Sequence, residues 1–507
     1  MTTDHELTID GLDPATIYHA SIRSEVDGQV SSTGNIVFST MSSEEATQEI
    51  NVYFNGDVDH DLAIRDEATD DFDFPAHYID RIEDAQESID ITFYNLSQDV
   101  GSDVTDALIH AHRNNNVDVR VVMDADLSGP AEENKEDLED IGIPVIQSDA
   151  GGRTEGIMHN KIAIIDYHGG DPEDVWLITS SWNSTDAGTF NQYQNMIEFQ
   201  DPALAGGYTT EFEQMWGGSG SSPDESEARF GTNKSIVNPT AFWIDDVYLE
   251  LYFSPQTNVE NRIIESFEDA QHDININTMG ITRWRYRNTL ESRHDAGINA
   301  RGVIGDRNIG GPSSDILDEL IEFGDFHDHG ANSETLLHHK AAIIDGQDES
   351  YGNGHVITGS MNWSAGGNFN NDENTLFIHD NDITNLYMQE FAARYAEAGG
   401  QDELVITSTD DDPIAEQPET LELDQNYPNP FNPVTTISFS LPQTDEVTLT
   451  VYDVLGREVS TLIDGEELQS GTHEVNFDGS NISSGVYLYR IQLSSGQQLS
   501  RRMTLVK

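Results

Sequence analysis

Cysteine is absent from the 507 residues, which excludes disulfides and cysteine-based metal sites. Lysine is nearly absent too: the five are Lys135, Lys161, Lys234, Lys340 and Lys507. Of 24 basic residues that leaves 19 arginines, against 93 acidic residues, for a formal net charge of −69. The acids occur in every segment rather than in one tail. Such a surface does not supply the basic groove on which nucleic-acid binding relies. It reads as adaptation to high salt, where the Debye length shrinks to ~3 Å at 1 M and self-repulsion is tolerated. Regular apolar strands and helices in the central region argue against disorder. No run of 18 apolar residues marks a membrane span. The opening MTTDHELTID lacks the basic and apolar regions of a signal peptide.

What is present is a repeat. HNKIAIID (159–166) returns as HHKAAIID (338–345), both fitting H-x-K-x4-D. Each is followed by Ser-x-Asn, Ser181 and Asn183 then Ser360 and Asn362, and next by Gln194-Asn195 and Glu373-Asn374. The offset never slips: 338 − 159, 360 − 181 and 374 − 195 all equal 179. Six polar positions in one register point to duplication of a functional unit. The residue types suit a phosphodiester. Two imidazoles supply a nucleophile and an acid near neutral pH. Two lysines and two asparagines hold the phosphoryl oxygens. The His-x-Lys alternation puts both side chains on one strand face, and IAII and AAII continue as buried strand. Two of only five lysines stand in these motifs.

The pattern resembles the phospholipase D superfamily, whose two HKD motifs meet in one active site, over roughly residues 46–400. The resemblance implies a phosphohistidine intermediate with no metal and no cofactor. It implies catalytic roles for His159, Lys161, Asp166, His338, Lys340 and Asp345. Lys161, Asn183, Lys340, Asn362, Ser181 and Ser360 would bind the substrate phosphate, with Glu373, Gln194, Asn195 and Asn374 in support. One departure is Ser180, where the family has glycine; the second copy keeps Gly359. Glu373 stands where relatives place a carboxylate beside the catalytic histidine, and its counterpart Gln194 is neutral. A carboxylate partner raises an imidazole pKa. That makes His338 the expected general acid and His159 the expected nucleophile. His339 lies beside a motif histidine, but the offset selects His338.

Residues 1–42 resemble the last strands of a fibronectin type III domain, half of which cannot bury its own core. With no signal peptide, this leads to the expectation that the sequence begins inside a longer protein; the other reading is a short β extension docked on the next domain. Residues 46–240 and 241–400 alternate strand and helix in the same plan, predicting an α/β fold of two pseudo-symmetric lobes with mixed sheets. The stretch WGGSGSSPDESEARFGTNK between them reads as a flexible crossing loop. An acidic linker, 401–421, leads to 422–507. There NYPNPFNP (Asn426–Pro433), then Tyr452, Asp453, Gly456, Gly485, Val486 and Tyr487, resemble the C-terminal sorting domain of type IX secretion substrates, a small β-sandwich. That implies the secretion machinery as partner and a secreted or cell-surface location.

Taken together these features lead us to expect a secreted, salt-adapted, monomeric phosphodiesterase cleaving phospholipid head groups. An HKD-type endonuclease on DNA is the alternative, although no stable nucleic-acid complex is expected. A catalytically retired surface-binding protein is the non-enzymatic alternative. His327 and His329 with Asp325 and Asp328 read as a metal site or, more simply, a solvated acidic loop. Arg153 faces the phosphate or solvent on equal grounds.

Overall fold

The computed structural model describes residues 9, 11–26, 29–43, 46–153, 155–331, 335–407, 421–442, 444–453, 457–468, 471–494 and 497–506. Near the N-terminus, β1 (Ile17–Ala20) pairs with β4 (Ile36–Ser39), and β2 (Arg23–Val26) with β3 (Gln29–Ser32). These two ladders make no sandwich among the described residues. They lead into Ser42, whose hydroxyl donates to Asp201 at 2.5 Å.

The first lobe carries β5 (Glu49–Phe54), β6 (Ser88–Phe93), β7 (Asp118–Met123), β8 (Val145–Gln147), β9 (Ile162–Ile165), β10 (Trp176–Ser180), the short β11 (Gln192–Tyr193) and β12 (Asn195–Gln200). Seven form one sheet in the order β5-β12-β10-β9-β6-β7-β8. Its β6-β7-β8 half is parallel, and the other pairings are antiparallel. Helices α1 (Phe74–Asp84), α2 (Gln98–Asn114), α3 (Pro130–Asp140), α4 (Asp186–Phe190) and α5 (Pro202–Trp216) connect and cover it. Local chemistry starts α1: Asp73 accepts from the Ala76 N–H, and Phe74, Tyr78 and Ile82 repeat on one buried face.

The second lobe repeats the plan with β13 (Ala241–Ile244), β14 (Val247–Ser254), β15 (Asp273–Thr278), β16 (Asn299–Ile304), β17 (Asp325–Asp328), the short β18 (Leu336–Leu337), β19 (Lys340–Ile344), β20 (His355–Gly359) and β21 (Glu373–His379). Its sheet runs β13-β14-β21-β20-β19-β15-β16-β17, with β15-β16-β17 parallel. Its helices are α6 (Val259–Asp269), α7 (Trp284–Asp295), α8 (Ser313–Phe323), α9 (Ala365–Phe369) and α10 (Asn381–Glu397).

The closing helices α5 and α10 lie between the lobes. One apolar cluster holds Phe199 and Ile197 of the first sheet, Leu376 and Ile378 of the second, Tyr208, Phe212 and Trp216 of α5, and Tyr387 and Phe391 of α10. The interface is therefore built like a domain core, and truncating Phe212 to Ala would cost about 3–5 kcal/mol. The approach is close: a Cβ on Gly207 of α5 would lie 2.7 Å from the Phe242 ring of the second lobe. The Gly/Ser-rich crossing stretch is not a free linker. After Gly217 ends α5 in the left-handed region, Ala228 and Phe230 enter the shared core and Lys234 is buried. The expectation of flexibility fails because apolar residues interrupt the polar run.

Residues 408–420 of the acidic linker, and Gly456 of the tail, lie outside the described residues. The tail forms two antiparallel sheets. One is β22 (Glu422–Leu423), β23 (Val434–Leu441) and β26 (Gly471–Asp478); the other is β24 (Asp445–Asp453), β25 (Glu458–Leu468), β27 (Gly485–Leu493) and β28 (Gln498–Leu505). Alternating residues of β23 and β27 point into a core with Phe431, Phe439 and Tyr489.

Candidate active site

The two His-x-Lys segments sit at the mouths of β9 and β19, each fastened to the opposite lobe. The His159 N–H donates to the Asp372 carbonyl at 2.9 Å, and the His338 N–H to the Tyr193 carbonyl at 2.9 Å. Next to them, Met158 bridges to Asp372, and β11 pairs in parallel with β18. The side chains cross in the same way. His159 Nδ1–H donates to Glu373 Oε2 at 2.6 Å, and His338 Nδ1–H to Gln194 Oε1 at 2.9 Å. This corrects the expected partnership. Glu373 serves the histidine of the other lobe, because the backbone sutures bring β21 to His159 and β11 to His338.

Both partners are held from behind. Ser360 Oγ donates to Glu373 Oε2 at 2.8 Å and Asn371 Nδ2 to Oε1 at 3.0 Å. Ser181 Oγ donates to Gln194 Oε1 at 2.7 Å, while Gln194 Nε2 donates to Gln192 Oε1 at 2.8 Å. The serines were expected to bind phosphate; their hydroxyls instead point at the acid–amide pair. With Nε2 engaged elsewhere, Gln194 presents oxygen to His338 at 2.9 Å and favours the Nδ1–H tautomer over the longer 3.2 Å approach of Lys340 Nζ to the same nitrogen. Asn195 and Asn374 lie one layer deeper and join the lobes. Asn195 Nδ2 donates to Thr358 and Tyr387, and Asn374 accepts from Thr179 and donates to Asn160. His339 is fixed between Asn195 and Glu390 and turns away from the site.

Lys161 Nζ donates to the His159 carbonyl at 2.7 Å and Lys340 Nζ to the His338 carbonyl at 2.6 Å. Both lysines are buried. Burial pushes Lys161 down to about 7, against the upward pull of Glu373 and Asp124. Burial and then Lys161 hold Lys340 well below the ordinary lysine range. Burial also lowers His159, although Glu373 raises it, and His338 is lowered well below its usual value by burial and then by Lys340, Lys161 and His159. Burial works to raise Glu373, but His159 and Lys161 outweigh it and the carboxyl sits below its ordinary range. Asn183 and Asn362 each leave a buried side-chain oxygen without a partner. Lys161 and Asn183 line one small pocket with Tyr94 and Ser180. The centre thus gathers two lysines and two imidazoles around one carboxylate, so an entering anion favours the charged forms of these bases.

Asp166 and Asp345 are not brought to this cluster. Five residues of chain, about 16 Å of strand at ~3.3 Å each, separate Lys161 from Asp166. The Asp166 carboxylate accepts from the N–H groups of Gln86, Glu87 and Ser88, and Asp345 from those of Gln271, His272 and Asp273. Each aspartate therefore clamps the turn between the first helix and the next strand of its lobe. The expectation of a catalytic role fails on position. Ser180 fits its strand, whereas Gly359 adopts φ +139° and a Cβ there would lie 2.4 Å from the Asn374 carbonyl oxygen. Only the second copy needs glycine.

Residues outside the repeated motifs also shape the site. The Tyr94 ring lies 4.8 Å from the His159 ring and 5.1 Å from Lys161 Nζ, but its repeat mate is Met279, so the register gave no hint. Arg153 faces neither phosphate nor solvent: it pairs with Asp372 at 2.8 Å. Lys234 is enclosed with Glu211 and Asp372, the latter at 2.7 Å. Burial disfavours the Lys234 charge, yet Asp372 and Glu211 outweigh it. This ionic cluster anchors the residue next to Glu373, and the scarcity of lysine was the available signal. His327 sits on β17 and pairs with Asp325 at 2.7 Å. No three His, Asp or Glu side chains converge as metal ligands among the described residues.

A family profile described as "Cardiolipin synthase, PLD-like domain" matches residues 78–216 and 263–395, more than half of the chain. A second, "Secretion system C-terminal sorting domain", matches residues 425–505. The chain is 26% identical over 141 residues to a mitochondrial cardiolipin hydrolase of Chlamydomonas reinhardtii, covering 28% of this chain and 56% of that one. It is 33% identical over 104 residues to the mitochondrial cardiolipin hydrolase of Xenopus tropicalis, covering 20% and 45%. The chain thus spans about half the length of these curated relatives. Among solved structures, the phosphatidylserine synthase of Haemophilus influenzae is 13% identical, with a TM-score of 0.49 over 68% of this chain and 86% of that one.

Proposed function

Since this chain belongs to the phospholipase D-like family, a family of phosphodiesterases, and ends in a secretion sorting domain, we propose that it is a secreted or surface-displayed phosphodiesterase that removes phospholipid head groups. The observation that carries the reading is the crossed pair of buried imidazoles between two lysines, one partnered by a carboxylate and one by an amide.

Glu373 accepts from His159 Nδ1–H and so leaves the Nε2 lone pair free to attack phosphorus. The same carboxylate stabilises the cationic phosphohistidine that results. Partner charge no longer makes His338 the acid, since its partner is an amide, but His159 as nucleophile stands on this geometry. The substrate's negative charge favours uptake of a proton from solvent at His338 Nε2, and that Nε2–H then protonates the leaving oxygen as the P–O bond breaks. In the second half, His338 takes a proton from water, water attacks phosphorus, and the P–N bond breaks. Lys161, Lys340, Asn183 and Asn362 hold the phosphoryl oxygens throughout. The net charge of −69 disfavours the long charge track of a nucleic acid more than a phospholipid head group that meets the protein at one site.

The test uses bis-p-nitrophenyl phosphate, whose nitrophenolate needs no proton to leave, in parallel with phosphatidylcholine vesicles. His338→Ala should keep a nitrophenolate burst and accumulate a phospho-enzyme seen by intact mass after alkaline quench. His159→Ala should show neither. A burst and mass increment in His159→Ala would overturn the mechanism, and DNA cleavage without lipid turnover would overturn the substrate.

A further inference from the structure

The rims of the two half-sites differ. In the first lobe, Leu96 bridges to Ser184, the residue after Asn183, and α2 opens immediately afterwards with Gln98-Asp99-Val100. In the second lobe, Thr278 lies beside Lys340 in register, and Ile281 bridges to Trp363, the residue after Asn362. The chain then enters α7 with Arg283-Trp284-Arg285. The same place is neutral to acidic on the His159 side and cationic and aromatic on the His338 side.

The cations are not cancelled. Arg283 grips both oxygens of buried Glu260 at 2.9 and 3.0 Å. Arg285 takes a longer 3.3 Å bond to the same carboxylate and one of 2.7 Å to Asn261. Two guanidinium groups share one carboxylate, which leaves an excess positive charge in a chain of net −69. The Arg285 side chain is 48% exposed. The Arg283 guanidinium lies 5.3 Å from the centre of the exposed Phe369 ring, and Trp284, between the two arginines in the chain, is exposed as well. Arginine opposes the helix dipole at the start of a helix, and no acid stands in the first turn of α7. A sequence rich in acids has placed cations where helix stability would want the opposite, a local conflict of the kind found at functional positions.

In the proposed mechanism, the leaving alcohol departs on the His338 side. Resting on that reading, we propose that Arg285, with Arg283, Trp284 and Phe369, forms a subsite for a second phosphate carried by the leaving head group. Arg285 meets that phosphate with its outward N–H groups, and the rings cover the polyol between the two phosphates. The substrate class is a phospholipid whose head-group alcohol bears a further phosphate. One cationic spot, rather than a track, is too little to follow a polynucleotide backbone.

The discriminating pair is phosphatidylinositol 4-phosphate against phosphatidylinositol in mixed vesicles, compared through kcat/KM. The parent protein should prefer the phosphorylated lipid by at least about threefold, and Arg285→Gln should bring the ratio close to one. Using a ratio cancels any general loss of activity. Trp284→Ser should weaken the preference through KM rather than kcat. A parental ratio of one, a ratio unmoved by Arg285→Gln, or a preference for phosphatidylcholine would overturn the subsite. Arg285-dependent cleavage of an oligonucleotide without turnover of either inositol lipid would overturn its lipid assignment. Failure of the parent protein on bis-p-nitrophenyl phosphate would instead overturn the phosphodiesterase reading, and the subsite with it.

Discussion

Glu373→Gln makes the two half-sites alike and removes the one carboxylate next to an imidazole. The amide keeps the shape, and its oxygen can still accept from His159 Nδ1–H, so the fold should survive. What is lost is charge. As His159 attacks phosphorus its ring becomes cationic with Glu373 Oε2 only 2.6 Å from Nδ1. Two unit charges about 4 Å apart interact by about 4 kcal/mol at an effective dielectric of ~20. A hydrogen bond to a charged group contributes about 1.5–3 kcal/mol. These overlap rather than add, so the expected loss in kcat/KM is about 100- to 1000-fold. A second effect comes from the same charge. Glu373 raises both His159 and Lys161, so its removal should also move the alkaline limb of the pH profile downward. Stopped-flow release of nitrophenolate between pH 5 and 9 reads both effects. A loss smaller than tenfold with an unmoved limb, in protein of parental melting behaviour, would refute the claim that this carboxylate acts on His159.

Burial pushes Lys161 down to about 7, so with bis-p-nitrophenyl phosphate, whose leaving group needs no acid, kcat/KM should fall as pH rises past about 7, while kcat, measured with phosphate bound, should hold to higher pH. A flat kcat/KM from 6 to 9 would contradict this. Lys234→Met leaves Glu211 buried without its cation and Asp372 with Arg153 alone and should cost about 3–5 kcal/mol in urea unfolding, with Lys234→Met/Glu211→Leu recovering part of it. The acidic surface should make the melting temperature climb between 0.1 and 2 M NaCl as self-repulsion is screened; an unchanged or falling value would remove the case for salt adaptation.

Much of this was legible in the chain. The 179-residue register identified both histidines and both lysines, and periodicity anticipated sheets covered by helices. Contacts across the pseudo-two-fold were not legible. A repeat says which residues are equivalent, not which touch, and near such an axis a residue meets its mate's surroundings rather than its own. Hence Glu373 reached His159. The motif aspartates misled for a related reason: Asp166 belongs to the pattern because its strand needs a clamp at the far end, and a shared pattern carries no information about distance. Tyr94 lay outside the repeat, and Lys234 stood out only by rarity.

The crossed backbone bonds have a consequence in time as well as in space. His159 acquires its carboxylate only when a residue 214 positions further along has been made and folded against it. Contacts of such separation form late in folding. A growing polypeptide, or one cut between its halves, therefore carries an imidazole without a partner and a lysine without its opposite number. On the proposed activity, the producing cell's own lipids would meet an inert polypeptide until translation and folding are complete.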